Sequence, residues 1–260
     1  MRSPINGWAI YPARNPSARL RLFCFPYAGG GATIFSTWAR SLPPEVEVVA
    51  VQPPGREGRL MEKPYGSLAE LVEVMHRELL PHMDKPFALF GHSNGGLMAF
   101  ELARTLRRTG GPMPRHLFIG GRPAPQEELE EEIIHALPHD EFIAALRRYA
   151  GTPEEILQNA EIMELIMPLL RADFSLGETY AYTPEAPLDV PISAYGGQRD
   201  DEVPPEQIES WREQTSARFT FRMFPGDHFF INGDRAAVLQ EITRELRGVL
   251  AGLEPVVHGF

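Results

Sequence analysis

Ser93 is the residue of this chain whose surroundings most clearly predict chemistry. It is the central residue of the pentapeptide Gly-His-Ser-Asn-Gly at 91–95, between an apolar run at 87–90 and a helical pattern. A serine on a sharp turn between a strand and a helix needs small neighbours, and a G-x-S-x-G turn in that setting is typical of a nucleophile elbow. An ordinary Gly-Ser turn is the alternative, and the flanking strand and helix favour the elbow. We therefore predict that Ser93 is a nucleophile.

A serine nucleophile also requires an acid in the same site. A histidine has to accept the serine proton, and a carboxylate has to orient that histidine. Enzymes with a nucleophile elbow carry the acid and then the histidine later in the chain, after strands. A strand pattern at 190–195 leads into a loop with Asp200, Asp201 and Glu202. Asp200 is preferred, because its position lets the turn expose the acid while Val203 returns to the core.

His228 is the predicted base. It follows the next strand pattern, at 219–224, and so lies one strand later than Asp200 at the same edge of a parallel sheet. His92 adjoins Ser93, but the neighbour of a residue on a sharp turn usually points away from it. The other histidines fall in helical patterns, at a strand start, in an inserted segment or in the tail: His76, His82, His116, His135, His139 and His258.

Two backbone N–H groups are expected to bind the oxyanion of a tetrahedral intermediate. Asn94 supplies one because it follows the nucleophile, and Ala28 is chosen for the other because it lies in a glycine-rich loop after the apolar run 20–25. A phosphate-binding loop is disfavoured because no Lys-Ser or Lys-Thr follows these glycines. A metal site is unsupported, since neither H-E-x-x-H nor C-x-x-C occurs.

The elements that must position these residues alternate along the chain. Helical patterns separate most of the strand patterns, which indicates an α/β fold with a mostly parallel central sheet and flanking helices. We predict a single domain over 1–260, with a helical lid inserted at about 125–185, because about 70 residues separate the strand ending near 120 from the one starting at 190. The predicted strands are 20–25, 46–51, 87–90, 116–119, 190–195 and 219–224. One predicted helix begins after Ser67, and three others span 95–109, 140–149 and 160–174.

Charge, cysteine content and hydropathy disfavour several classes of protein. The net charge of −10 argues against non-specific nucleic-acid binding. The single cysteine, Cys24, excludes a disulfide within the chain and is expected to be a buried thiol. No stretch is long and apolar enough for a membrane span, and no signal-peptide pattern opens the chain. We expect a cytoplasmic protein, not membrane-bound, that is a monomer and needs no cofactor.

Several segments together resemble one known family, the type II or editing thioesterases that accompany polyketide and nonribosomal peptide synthases. The most discriminating is Gln-Pro-Pro-Gly-Arg-Glu at 52–57, which lipases and general esterases with the same elbow lack. The resemblance implies an α/β-hydrolase fold and hydrolysis of acyl thioesters from the phosphopantetheine arm of acyl or peptidyl carrier proteins. It maps the family's catalytic residues onto Ser93, Asp200 and His228. The other matching segments are 22–30, 91–96, 137–142, 167–174 and 226–230.

The chain departs from this family pattern at two positions. Asn94 stands where the family commonly has Met, and Tyr27 stands where it often has His. Both changes leave the backbone donors in place, so they bear on acyl preference rather than on activity. Docking of an acidic carrier protein would require a basic patch, for which Arg56, Arg59 and Lys63 are candidates; Arg56 is equally a candidate for a structural ion pair.

Two other functions remain open from the sequence. The first is a small-molecule carboxylesterase, which would not prefer acyl groups on a carrier protein. The second is a non-catalytic hydrolase-like module that binds acyl groups or carrier domains without turnover. The presence of all three triad positions counts against the second.

Overall fold

The central sheet contains seven strands. A computed structural model describes residues 7–127, 132–149 and 151–253, and all seven strands lie within these ranges. The spatial order is β1-β3-β2-β4-β5-β6-β7; β1 pairs antiparallel with β3, and every other pair is parallel. The predicted mostly parallel sheet is therefore confirmed. The strands are β1 (Ala9–Ile10), β2 (Leu20–Phe25), β3 (Val46–Val51), β4 (Phe87–His92), β5 (Leu117–Gly120), β6 (Ile192–Gly197) and β7 (Phe219–Phe224).

The predicted strands agree with these bounds to within two residues at each end. The sequence pattern placed a strand start at Val190, but β6 begins at Ile192, because Pro191 has no N–H to donate to a sheet ladder. β4 continues to His92, which pairs with Gly120 of β5. The edge strand β1 was not predicted, since two residues carry no periodic pattern.

Helices cover the sheet and form the inserted segment. Ser67 caps α1 by accepting a hydrogen bond from the Glu70 N–H, as its capping-box pattern predicted. Gly110, with φ of +66°, follows the end of α2. The α-helices are α1 (Leu68–Leu79), α2 (Asn94–Arg108), α3 (His139–Tyr149), α4 (Glu154–Leu157), α5 (Ala160–Glu178), α6 (Pro205–Glu209), α7 (Phe230–Gly233) and α8 (Arg235–Ala251); short 3₁₀ helices span Ala32–Phe35, Trp38–Arg40, Glu57–Arg59, Leu80–His82 and Ser210–Gln214.

The two faces of the sheet bury two separate apolar clusters. Alternate residues of β2 point to opposite faces, so that Phe23 joins the cluster with α1 and α2, whereas Cys24 joins the cluster with α8. Cys24 is fully buried, which confirms the predicted structural thiol, and burial raises its pKa well above the ordinary value. Both faces of the sheet are thus covered by apolar side chains. A ligand site is therefore expected at the carboxyl ends of the strands.

The segment between β5 and β6 carries α3, α4 and α5. These helices share a small apolar cluster of their own, which includes Phe142, Leu146, Met163 and Leu170. Residues 128–131 and 150 of the predicted lid at 125–185 lie outside the described residues. The described part of the chain contains no helix that is both long and apolar enough to cross a bilayer.

Glycine-to-alanine substitutions should have opposite effects on stability at the tightly packed elbow and on the exposed surface of α8. A Cβ at Gly95 would lie 2.2 Å from the carbonyl oxygen of Phe25, whereas a Cβ at Gly248 in α8 would meet nothing within 4 Å. We expect Gly95→Ala to destabilise the protein by about 4 kcal/mol or more, because backbone must move to admit the methyl group. Gly248→Ala should stabilise it by about 0.5–1 kcal/mol through lower chain entropy in the unfolded state. Denaturant unfolding of both variants tests this, and equal effects would contradict it.

Candidate active site

Ser93 occupies a strained turn at the carboxyl end of β4. Its backbone has φ of +53° and ψ of −122°, a region that residues with a side chain rarely adopt. The Ser93 N–H donates to the Gly120 carbonyl at 2.7 Å, and the Ser93 carbonyl accepts from the Gly96 N–H at 2.9 Å. Such strain costs about 1–3 kcal/mol and persists only where the surroundings enforce it. The arrangement is the strand-turn-helix predicted for a nucleophile elbow.

His228 and Asp200 meet at the same edge of the sheet. The His228 Nδ1–H donates to Asp200 Oδ2 at 2.9 Å, and the side chain of Asp200 is fully buried. The other carboxylate oxygen, Oδ1, accepts the N–H groups of Glu202 and Val203 at 3.0 and 3.2 Å. These bonds hold the carboxylate in one orientation. Ser93 and His228 line one cavity, so the structure brings the three predicted residues together.

The charge of His228 is set by opposing effects. Burial alone would lower its pKa, but the hydrogen bond to Asp200 and the charge of Glu202, 3.9 Å away, outweigh burial. The pKa of His228 is therefore raised above its ordinary value of 6.5. Glu202, the less preferred candidate for the triad acid, thus raises the pKa of His228 through its charge, whereas Asp200 accepts the direct hydrogen bond.

His92 contacts the His228 ring and is not among the residues that line the cavity with Ser93. It is fully buried, its ring centroid is 5.2 Å from that of His228, and Tyr27 and Phe230 pack edge-on against it. Neither ring nitrogen has a hydrogen-bond partner among the described residues. Burial lowers its pKa well below the ordinary value, so His92 is neutral. It packs as a buried ring, and neither of its nitrogens is hydrogen-bonded to the Ser93 hydroxyl.

Ala28 and Asn94 line the same cavity as Ser93. Neither peptide N–H donates to an acceptor among the hydrogen bonds of the described residues, so both remain available to a ligand. A turn shapes the Ala28 loop: Gly29 has φ of +73°, and the Gly30 N–H donates to the Tyr27 carbonyl at 3.0 Å. Only glycine adopts such a φ without strain. The geometry is compatible with the predicted oxyanion hole.

The Gln-Pro-Pro-Gly-Arg-Glu segment supports the Ala28 loop, a role that the sequence alone did not indicate. Gln52 Oε1 accepts the Ala32 N–H at 2.6 Å, and Glu57 Oε1 accepts the Thr33 N–H at 3.1 Å. Arg56 Nη1 donates to the Gly30 carbonyl at 2.9 Å. Three side chains of one short segment therefore hold consecutive parts of the loop.

Arg56 forms the structural ion pair that was one of its two predicted roles. Its side chain is 4% exposed and bonded to Asp173 at 2.8 Å, so it is not available to a docking carrier protein. Arg59 is also mostly buried: it donates to the Gln52 carbonyl and to Glu62. Of the three basic candidates for docking, Lys63 alone is exposed.

The cavity beside Ser93 has a volume of about 290 Å³. The inserted helices supply much of its apolar wall through Leu146, Tyr149, Leu170 and Phe174. Its other lining residues include the charged Arg122, Glu132, Glu178 and Glu202. This volume lies at the small end of the range for ligand sites. The inserted helices thus form part of the wall of the cavity that Ser93 lines.

The fold and this site are those of an α/β-hydrolase. Within that class, the family model described as a thioesterase domain matches residues 20–246, and the chain belongs to this family. The gramicidin S biosynthesis protein GrsT of Aneurinibacillus migulanus is 45% identical over 96% of this chain and 97% of its own. The solved structure of the RedJ thioesterase from the prodiginine pathway of Streptomyces coelicolor is 40% identical, with a TM-score of 0.81 over 88% of this chain and 86% of RedJ. The type II thioesterase BorB from the borrelidin cluster is 36% identical, with a TM-score of 0.84 over 93% of this chain and 98% of BorB.

The raised pKa of His228 can be measured directly. A base with a raised pKa stays protonated to higher pH, so the His228 ring should titrate above pH 6.5 in an NMR experiment. Asp200→Asn should lower this pKa, because the carboxylate that stabilises the imidazolium is lost, and Glu202→Gln should lower it less. His116, whose burial lowers its pKa to about 4, provides an internal control. An unchanged His228 titration in Asp200→Asn would contradict the assignment.

Proposed function

We propose that this protein is an editing thioesterase. It hydrolyses acyl groups from the phosphopantetheine arm of acyl or peptidyl carrier proteins and so removes aberrant or stalled units from a polyketide or nonribosomal peptide synthase. The observation that carries the proposal is Ser93 on its elbow, in one cavity with the hydrogen-bonded pair His228 and Asp200. Membership of the thioesterase family and the likeness to BorB, a type II thioesterase, support the choice of thioester.

The first half-reaction transfers the acyl group to the enzyme. Ser93 Oγ attacks the thioester carbonyl carbon while His228 Nε2 accepts the hydroxyl proton. The bond from Nδ1 to Asp200 keeps Nε2 free to do so and stabilises the imidazolium. The N–H groups of Ala28 and Asn94 bind the oxyanion of the tetrahedral intermediate. Its collapse breaks the carbon–sulfur bond, and the leaving sulfur takes the proton from His228.

The second half-reaction releases the acyl group as an acid. A water molecule transfers a proton to His228 Nε2 and attacks the acyl-serine carbonyl, and the same two N–H groups bind the new oxyanion. Collapse of this intermediate breaks the bond to Ser93 Oγ, which regains its proton from His228. The result is ping-pong kinetics with a covalent acyl-enzyme.

The carrier protein is a transient partner in this proposal, and the enzyme acts as a cytoplasmic monomer without a cofactor. The net charge of −10 means that an acidic carrier requires a locally basic contact. Lys63 is the surviving candidate for such a contact, since Arg56 and Arg59 are engaged within the protein. A small-molecule carboxylesterase remains the second candidate, because the same triad would cleave oxygen esters.

Replacing the nucleophile distinguishes an enzyme from a binding module. Ser93→Ala should reduce thioester hydrolysis by about 10⁴-fold or more, because the variant lacks the hydroxyl that attacks the thioester carbonyl. Ser41→Ala, an exposed position, is the matched control and should keep wild-type activity. Mass spectrometry with a fluorophosphonate should show one adduct, on Ser93. An unchanged rate in Ser93→Ala would reject the serine mechanism.

A substrate panel distinguishes the thioesterase from the carboxylesterase. Acetyl, malonyl and medium-chain acyl groups are loaded on a carrier protein and compared with the same groups on a small thiol and with a p-nitrophenyl ester. We expect kcat/KM to be higher on the carrier for several short acyl groups, since docking adds binding energy that the small thiol lacks. Equal or better hydrolysis of the small esters would instead assign the protein to the carboxylesterases.

A further inference from the structure

Asp173 is a buried acid on the lid helix α5, outside the catalytic triad. It is 1% exposed, and its carboxylate forms a bidentate pair with Arg56: Nη2 to Oδ1 at 2.8 Å and Nη1 to Oδ2 at 3.1 Å. Oδ2 also accepts the Gly29 N–H at 2.7 Å. The residue therefore joins the lid to the loop that carries Ala28.

The two members of the ion pair form hydrogen bonds with neighbouring peptide groups of that loop. Asp173 accepts the Gly29 N–H, and Arg56 donates to the Gly30 carbonyl at 2.9 Å. The Ala28 N–H is separated from the Gly29 N–H by only the two backbone dihedrals of Ala28. When the Gly29 N–H is held toward the carboxylate, rotation about those dihedrals is restricted, and with it the direction of the Ala28 N–H.

The second oxyanion donor is tied to the same residue. Asn94 Nδ2 donates to the backbone carbonyl of Asp173 at 2.6 Å, and Asn94 is 6% exposed. The side chain of Asn94 thus connects the first turn of α2 to α5, while its N–H remains free for a ligand. Both segments that carry the proposed donors are therefore fastened to one turn of the lid.

We propose that Asp173 is a positioning residue for the oxyanion hole, which it couples to the lid through Gly29, Arg56 and Asn94. The inference rests on the proposed acyl-transfer function. Oxyanion stabilisation depends on donors that are aimed before the charge develops, so a freely rotating Ala28 peptide would weaken binding of the transition state and leave substrate binding unchanged. Any opening of the lid that preserves activity must also leave the turn around Asp173 in place.

The test removes the ion pair without leaving a buried charge unpaired. Arg56→Met combined with Asp173→Leu replaces both partners by apolar side chains of similar size, an exchange that proteins often tolerate. Glu154→Gln, which breaks the exposed lid pair with Arg147, is the matched control. Each protein is assayed with an acyl carrier substrate and with a p-nitrophenyl ester, with active sites counted by fluorophosphonate labelling.

For the double variant we expect kcat per active site to fall about 10–100-fold on both substrates, less than the loss of an entire donor. KM should stay within about threefold, and the acidic limb of the pH profile should not move, because His228 and Asp200 are untouched. Hydrogen exchange at the Gly29 amide should be faster than in the wild type. Glu154→Gln should match the wild type in every measurement.

Other outcomes would overturn the inference. Wild-type kcat per active site in the double variant, with only a lower melting temperature, would show that the pair is merely structural. Equal exchange at Gly29 in both proteins would show that the pair does not hold the loop. The ester assay requires the same oxyanion hole, so a lack of carrier preference in the wild type would defeat the proposed function without deciding this inference.

Discussion

The backbone of Ser93 is the constraint on which the rest of the site depends. A residue with a side chain is held at positive φ between β4 and α2, and the surrounding backbone leaves no room for it to relax. A Cβ at Gly91 would lie 2.0 Å from the carbonyl oxygen of Gly95, and one at Gly95 would lie 2.2 Å from that of Phe25. The helix can therefore pass directly over the strand ends. This close passage aims the hydroxyl at the cavity and places Asn94 beside it.

Two buried side-chain pairs, each with a carboxylate that accepts hydrogen bonds, serve orientation in different parts of the site. His228 and Asp200 follow the neighbouring strands β7 and β6. The hydrogen bond between them sets the tautomer of His228 and raises its pKa. Arg56 and Asp173 are 117 positions apart, and their pair joins the lid to the loop after β2. Burial of charges is a poor source of net stability, because desolvation offsets most of the attraction. Their value lies in fixing directions, which a purely apolar contact does not do.

The segment Gln-Pro-Pro-Gly-Arg-Glu shows how a family motif can act at a distance from the chemistry. None of its side chains belongs to the triad, yet Gln52, Arg56 and Glu57 bond to the loop that carries Ala28. Glu57 itself adopts φ of +48°, a second strained position supported by this network. The motif is therefore explained by the shape of a loop rather than by contact with the acyl group.

Local patterns predicted strands β2 to β7 and helices α1, α2, α3 and α5, but neither the edge strand β1 nor the helix α8. Alternating apolar runs predicted the strands, the glycines around Ser93 predicted the elbow, and the positions of Asp200 and His228 after successive strands predicted that the three would meet. These features are local, because a turn or a strand end is set by its own few residues and by the rule that parallel strands share an edge. The role of Arg56 could not be predicted from local patterns. The sequence was equally consistent with a docking contact and with a structural ion pair. Only the tertiary structure decided it, because its partner Asp173 lies 117 positions away on the inserted helix α5, whose placement depends on its contacts with α2 and α4.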